Sequence, residues 1–131
     1  MSGASERMRR VRQRDTAPEL KVRRALHRLG LRFRLHRRDL PGSPDIVLPK
    51  LRTAIFVHGC FWHRHQNCPR TTTPKTRTRF WSDKFEDNMN RDKRNTVALE
   101  RSGWRVAIIW ECETRCELDL TARLKCELAL T

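Results

Sequence analysis

Long apolar runs are missing from this 131-residue chain. The longest, such as residues 106–110, are far too short to cross a bilayer, and the mean hydropathy is -0.77. No apolar stretch follows the basic residues 1–14, which argues against a secretory signal. Internal repeats and low-complexity linkers are also missing, and the length suits one ordinary domain. We therefore expect a single globular domain over residues 1–131, located in the cytoplasm and not on a membrane.

Acidic residues are scarce. The chain has 15 Asp and Glu against 29 Lys and Arg, which gives a formal net charge of +14. A compact protein with this charge repels itself unless it binds a polyanion. Most of the basic residues are Arg, which binds phosphate through paired N–H groups and stacks on bases. The charge predicts a nucleic acid as partner, with a ribosome-associated or membrane-surface protein as the alternative. Residues 1–14 form an Arg-rich arm that either binds the polyanion or stays solvated.

The apolar pattern predicts helices on both sides of a mixed β-sheet. Thr16 and Glu19 frame a capping box that opens a helix ending near Leu29. Short strands are expected at 31–35, 45–48 and 54–57, the last two forming a hairpin. An irregular loop should cover 59–75, and a helix 78–101. Residues 104–110 are apolar enough for a central strand, and 118–130 should form a final helix.

The cysteines do not suit a disulfide framework, because their number is odd. The count is five, and with no secretory signal we expect reduced thiols. Cys60, His65 and Cys68 lie close together in the chain, and thiolate with imidazole is the ligand set of tetrahedral zinc. Cys112 completes a structural zinc site in this interpretation, with Cys116 as its rival. Alternatively, Cys60 and Cys112 are simply buried and His65 lies at the surface.

Carboxylates and imidazoles form a second candidate group. Asp45 begins a strand after a turn and is a natural magnesium ligand. His58 and His63 offer a base and an acid for cutting a phosphate ester, and Asp92 can orient one of them. Glu19 can hold a metal-bound water. The alternatives are that Glu19 only closes the capping box, that Asp92 makes an ion pair on a helix, and that His63 binds zinc instead of His65.

Aromatic residues in the same basic loop form a third group. Phe61 and Trp62 are adjacent, and Trp81 follows on the predicted helix. Large flat side chains of this kind can enter a duplex between base steps and unstack them, most easily at a mispaired step. For Trp81, burial in the core is an equal alternative.

Several of these residues lie in motifs of one known family. The run His-Gly-Cys-Phe-Trp-His at 58–63 is preceded by Pro-Gly-Ser-Pro-Asp at 41–45 and followed by Trp-Glu-Cys at 110–112. Together, and over about residues 8–116, they resemble the very short patch repair (Vsr) endonucleases. Those bacterial enzymes nick DNA beside a T:G mismatch.

The resemblance implies a fold and an active site. It implies an α/β protein with a restriction-endonuclease-like mixed sheet flanked by helices. Asp45 then matches the carboxylate of a magnesium site, and the Val57 carbonyl matches a further metal ligand. His63 matches the residue that activates water, with Asp92 as its partner. The remaining catalytic positions match His58 and Glu19.

The resemblance also assigns the other two groups. Cys60, His65, Cys68 and Cys112 match structural zinc ligands, whereas Phe61, Trp62 and Trp81 match the aromatic wedge. Val57 stands where the better-known member has Thr, and one more residue separates His65 from Cys68 than in some members. The basic arm, residues 1–14, resembles the segment that grips DNA.

The sequence therefore predicts a Mg²⁺-dependent DNA mismatch endonuclease with structural Zn²⁺, which nicks one strand 5′ of the mispaired T. It is expected to act as a monomer on duplex DNA in the bacterial nucleoid, with mismatch-repair proteins as candidate partners. Two alternatives stay open. One is a non-catalytic zinc-stabilised nucleic-acid-binding module, and the other is a restriction-type nuclease of the same fold that cuts both strands.

Overall fold

The computed structural model describes residues 16–129. The Arg-rich arm at 1–14 lies outside this range. In chain order the elements are α1 (Ala17–Arg28), β1 (Arg34–Leu35), β2 (Ile46–Leu48), β3 (Thr53–His58), α2 (Thr78–Arg101), β4 (Arg105–Trp110), a short 3₁₀ helix (Glu111–Thr114) and α3 (Glu117–Glu127). The order of helices and strands is the predicted one, and residues 59–77 contain no helix or strand.

Helix α1 begins and ends as its sequence predicts. The Thr16 side chain accepts a hydrogen bond from the Glu19 amide at 3.3 Å, which satisfies one of the free N–H groups at the helix start. After the helix, Gly30 adopts a φ of 75°, a conformation that favours glycine. Val22 and Leu26 are buried, so this face of the helix lies against the core.

The sheet is mixed and has the strand order β1-β2-β3-β4. Strands β2 and β3 form the predicted antiparallel hairpin, whereas β3 and β4 run parallel, with His58 opposite Trp110. The start of β2 and the ends of β3 and β4 consequently lie at the same edge of the sheet. Asp45, His58 and the residues after Trp110 therefore lie at that edge.

Two strand predictions were wrong in detail. Among residues 16–129, β4 pairs only with β3, so it is an edge strand and not a central one. It is apolar because both of its faces are covered: Ile109 packs in one core cluster and Val106 against the other. The strand expected at 31–35 is reduced to Arg34–Leu35, both exposed. Leu31 and Phe33 still pack against the core, but as irregular backbone.

The core has two parts, one on each face of the sheet. Helices α1 and α3 pack on one face through residues such as Leu26 and Leu124, whereas Leu99 of α2 packs on the other with Trp104. Helix α2 runs unbroken for 24 residues, from Thr78 to Arg101. Within the described range, no helix combines the length and the apolar character that crossing a membrane requires.

Candidate active site and metal centre

Asp45 is held at the edge of the sheet by the neighbouring strand. Its Oδ2 accepts a hydrogen bond from the Val57 amide at 2.8 Å. Burial raises the pKa of Asp45 to about 6, the Val57 hydrogen bond opposes that rise, and the nearby charge of Glu19 adds to it. Burial makes the ionised form of a carboxylate unfavourable, and a bound cation stabilises that form. Its chemistry therefore fits a divalent metal ion.

His58 and His63 stack face to face beside Asp45. Their ring centroids are 3.7 Å apart and the rings are almost parallel, at 7°. Burial and the neighbouring His63 together lower the pKa of His58 to about 4, against an opposing effect of Asp92. Its Nδ1 is buried and has no hydrogen-bond partner among the described residues. The pair thus contains a neutral imidazole with one unused polar atom at neutral pH.

Asp92 orients the second histidine from helix α2. Its Oδ2 lies 2.6 Å from Nδ1 of His63. Burial acts to raise the pKa of Asp92, but the hydrogen bond with His63 and the nearby charges of His63, His58 and Arg91 together outweigh it, so the pKa is lowered. An ionised Asp92 accepts the Nδ1 proton, which leaves Nε2 of His63 as the nitrogen that can take a proton. The geometry is that of a carboxylate-oriented general base.

Glu19 reaches this edge from α1, together with a residue not singled out from the sequence. Ligand atoms of Glu19, His36 and Asp45 all lie within 4.8 Å of one another. Glu19 is only 1% exposed, far more buried than a residue that merely closes a capping box requires. His36 follows the short β1 strand, where nothing in the local pattern indicates a functional residue. Asp45 therefore belongs to a group of polar side chains separate from that of His58, His63 and Asp92.

The four predicted zinc ligands converge in space. Ligand atoms of Cys60, His65, Cys68 and Cys112 lie within 4.8 Å of one another, and Cys112 Sγ is 3.5 Å from His65 Nδ1. Cys116 is exposed at the start of α3 and is not in this group, and His63 belongs to the group with Asp92 instead. These four side chains can hold a metal ion.

The thiols differ in their electrostatic surroundings. Burial raises the pKa of Cys60 to about 12, and burial also raises the pKa of Cys112. Burial acts on Cys68 in the same direction, but hydrogen bonds with the Arg70 amide, His65, Cys60 and Cys112 together outweigh it and lower its pKa to about 7. Buried thiols close to one another are disfavoured as thiolates, and a divalent cation among them reverses that preference.

Trp110 connects the two centres and was not predicted as a site residue. Its ring stacks on His65 at 4.2 Å and meets His58 edge-on at 5.3 Å. The Thr71 hydroxyl also donates to the carbonyl of His65 at 2.6 Å. The loop 59–77 is thereby fastened to the end of β4. A parallel β3-β4 pair, invisible in the local sequence, is what brings Trp110 there.

The three wedge candidates form one aromatic cluster with Phe85. Phe61 lies 5.1 Å from Trp62 and 6.1 Å from Trp81 between ring centroids. Phe85 is buried and lies 5.8 Å from Trp81, whereas the other three rings are half-buried. Trp81 is consequently neither a core residue nor a free surface residue.

Arg64, one of the basic residues of the loop, packs against this cluster. Its guanidinium carbon lies 4.1 Å from the Phe85 ring centroid. The same side chain donates to the Thr72 carbonyl at 2.8 Å. Further basic residues of the loop and of α2 are exposed around it and can follow a phosphate backbone. They include Arg70, Lys75, Arg77 and Arg79.

Comparisons with known proteins agree on one family. The family model described as "DNA mismatch endonuclease Vsr" matches residues 2–70. A "Type II nicking enzyme V.XorIIP" from Xanthomonas oryzae pv. oryzae is 52% identical over 118 residues, which cover 90% of this chain and 86% of that protein. "DNA mismatch endonuclease Vsr" from Escherichia coli is 45% identical over 89% of this chain and 74% of its own length. A "Type II nicking enzyme V.NmeAIP" from Neisseria meningitidis is 41% identical over 89% of this chain and 83% of its own length. The chain therefore belongs to the Vsr family of DNA mismatch endonucleases and is itself a DNA endonuclease.

Proposed function

We propose that this endonuclease uses Mg²⁺ to nick one strand of duplex DNA, 5′ of the mispaired T in a T:G mismatch. The observation that carries the proposal is that Asp45, hydrogen-bonded to the Val57 amide, lies at the same edge of the sheet as the stacked pair His58 and His63. We also propose that the mixed sheet is of the restriction-endonuclease type and that residues 1–131 form one domain, which acts as a monomer. Membership of an endonuclease family removes the alternative of a non-catalytic module.

Asp45 and the Val57 carbonyl would hold the magnesium ion. A divalent ion at that position supplies positive charge to the scissile phosphate, where negative charge develops. Glu19, buried close by, would bind water in the hydration shell that magnesium keeps. The carboxylate of Asp45, whose pKa is raised by burial and which lies within 4.8 Å of Glu19 and His36, supports this donor set.

His63 is the proposed general base. Its Nε2 takes a proton from the attacking water, and Asp92 stabilises the imidazolium that forms. Two stacked imidazoles at 3.7 Å repel each other when both are charged, so a neutral His58 favours proton uptake by His63. His58 itself, held neutral by burial, is suited to hydrogen bonding with the phosphate and not to carrying charge.

Phe61, Trp62 and Trp81 are proposed to form the wedge that enters the duplex beside the mismatch. The three side chains are half-buried, so part of each ring is available to contact bases. Phe85 is buried and packs against the Trp81 ring from the protein interior. Unstacking costs least where bases are mispaired. The wedge therefore selects a weak base step, while the basic loop supplies binding that does not depend on sequence.

Zinc is the proposed ion of the four-ligand centre. Three thiolates and one imidazole make a closed tetrahedral set with no open position, which is typical of structural zinc. The centre would fix the loop that carries His63, Phe61 and Trp62. Its role is to hold the active site in shape and not to take part in cleavage.

Nicking assays test the function directly. A T:G duplex with Mg²⁺ should be cut on one strand, a matched T:A duplex should be cut far more slowly, and Asp45→Ala should cut neither. Supercoiled plasmid distinguishes the double-strand alternative, because nicking yields open circles and cutting of both strands yields linear DNA. Equal cleavage by Asp45→Ala would overturn the proposed metal site. Linear product as the first product would favour the restriction-type nuclease.

A further inference from the structure

A basic groove lies between α1 and the segment that joins β4 to α3. It is a cavity of about 240 Å³, and the buried residues Thr114 and Leu120 line it from the protein interior. The rest of its lining is charged. It consists of Lys21, Arg24, Arg28, Arg115 and Glu117.

Three of the four cations lie on one face of α1. Lys21, Arg24 and Arg28 are three and four residues apart, and all three are exposed. Side chains at these spacings are neighbours on the surface of a helix, and like charges there repel each other. At 1.5 Å per residue the row is about 10 Å long. The basic groove therefore concentrates positive charge at a cost to the stability of the helix.

Only one of the four cations is neutralised within the groove. Nη1 of Arg28 lies 2.6 Å from Oε1 of Glu117, and this ion pair joins the two walls. Within the described part of the chain, Lys21, Arg24 and Arg115 form no ion pair. Three unpaired cations around one cavity favour binding of an anion from outside the protein.

The basic groove opens next to the edge of the sheet that holds the candidate active site. The 3₁₀ helix after β4 leads from that edge through Thr114 to Arg115. On α1, Lys21 follows two residues after Glu19, which reaches the same edge. Helices α1 and α3 cover one face of the sheet, whereas α2, which carries Trp81, covers the other. A duplex that crosses this edge from the side of α2 would therefore reach the groove.

A DNA backbone suits this groove better than an acidic protein surface does. The exposed lining is entirely charged, whereas protein–protein interfaces carry apolar or aromatic anchors at their centre. A row of about 10 Å matches the axial rise of about three nucleotides of one strand. Arg also binds phosphate through paired N–H groups.

We propose that the basic groove binds the sugar-phosphate backbone of the duplex, on the flank of the cleavage site that passes over α1 and α3. The contact adds affinity and extends the length of DNA that the enzyme covers, but it reads no bases. The inference needs DNA as the substrate of this endonuclease family. It needs neither the proposed magnesium site nor the proposed T:G preference.

The salt dependence of binding tests the inference. The double variant Arg24→Gln with Arg115→Gln removes one cation from each wall of the groove. Lys50→Gln with Arg101→Gln is the matched control, because it removes the same charge from exposed positions at the opposite edge of the sheet. Fluorescence anisotropy with a labelled T:G duplex and no added Mg²⁺ gives Kd at several salt concentrations.

The groove variant should bind about tenfold more weakly or worse, and its plot of log K against log salt concentration should be shallower by about 2. The control variant should stay close to wild type. A matched T:A duplex should show the same loss, because backbone contacts carry no sequence information. The single-turnover nicking rate at saturating protein should not change, because the groove does not touch the reacting atoms.

Duplex length locates the contact. When the duplex is trimmed from one end, wild-type affinity should fall to that of the groove variant, and trimming from the other end should not abolish their difference. Circular dichroism checks folding, and the groove variant should melt at or above wild type at low salt because repelling charges are removed. Lys21→Gln alone, which should lower the slope by about 1, repeats the test at a third position.

Two results would overturn the inference while leaving the proposed function intact. One is a groove variant whose affinity and salt slope match those of the control, which would leave the groove to another anion such as an acidic protein surface. The other is a loss of affinity that persists however far either flank is trimmed, because that is a general effect of charge. Neither measurement depends on whether or where the duplex is nicked.

Discussion

Oδ2 of Asp92 and Nδ1 of His63 are 2.6 Å apart, although the two residues are far apart in the sequence and lie on a helix and a loop respectively. The contact fixes which nitrogen of His63 carries a proton. It also links α2, which bears Trp81, to the loop that bears the other aromatic residues. The proposed general base and the proposed wedge are therefore positioned by the same two segments.

Asp92→Asn should lower kcat by about 10²-fold or more, the range expected when a general base loses its orientation. The amide keeps the shape of the side chain but no longer stabilises a charged His63. The measurement is single-turnover nicking of a T:G duplex over a range of pH. Asp87→Asn, an exposed position on the same helix, is the control and should behave as wild type. Equal rates for both variants would remove Asp92 from the mechanism.

Asp45→Asn should stabilise the metal-free protein near pH 7.5 while abolishing nicking. The folded pKa of Asp45 is raised from 3.8 to about 6, so folding favours the protonated acid. Its stabilising contribution is present below the unfolded pKa and is lost as the pH rises between those two values. At neutral pH ionised Asp45 then costs up to about 3 kcal/mol, as an order of magnitude.

Thermal unfolding with and without Mg²⁺ checks this prediction. Without the metal, the variant should melt a few degrees above wild type at pH 7.5, and the gap should vanish near pH 4. Adding Mg²⁺ should raise the melting temperature of wild type only, because the ion binds the carboxylate. A variant that is less stable than wild type in the metal-free state would contradict the raised pKa.

Cys60→Ser should remove zinc and destabilise the domain by several kcal/mol, because the free energy of metal binding at a centre of this kind contributes directly to the free energy of folding. Elemental analysis should find about one zinc per wild-type chain, in accordance with a single closed set of ligands. Cys126→Ser, at an exposed cysteine outside the ligand group, should keep both zinc and stability. An unchanged melting temperature in zinc-free Cys60→Ser would exclude a structural role.

Trp62→Ala should reduce nicking of T:G duplexes about 10–100-fold, which corresponds to the loss of roughly 1–3 kcal/mol of stacking on a base. Cleavage of matched DNA is already slow and should change much less, so the ratio of the two rates should fall. Phe80→Ala is the control, because Phe80 contacts Trp81 and Arg77 from outside the wedge. A ratio that stays at the wild-type value would place mismatch detection elsewhere.

Most candidate residues could be recognised from the sequence, because the patterns that mark them involve residues close together in the chain. The N-cap at Thr16, the hairpin and the long helix α2 follow from short-range patterns, and each has its predicted position, although the Glu19 side chain does not complete the predicted capping box. The cysteines and histidines between 58 and 68 are recognisable because their chemistry is unusual and concentrated. The roles assigned to these residues stay predictions until the variants above are measured.

Residues that act through distant contacts escaped the sequence. His36 and Trp110 join the site only because β1 lies beside β2 and because β4 runs parallel to β3. Arg23, which forms an ion pair with Glu19, resembles any other basic residue on a helix until Glu19 is seen to be buried. The sequence also did not show that β4 is an edge strand. Core residues pack on both faces of β4, so the strand is as apolar as a central one.

The sequence by itself determined the chemical inventory: a strongly basic chain with few acids, a thiol and imidazole loop, adjacent aromatic rings and the order of helices and strands. Which of these groups meet was decided only by the tertiary structure. Local periodicity records which face of each segment is buried, but not which segments pair or in which direction. The parallel pairing of β3 with β4 and the docking of α1 and α2 decide that Asp45, His58, His63, Asp92 and Glu19 lie at one edge of the sheet.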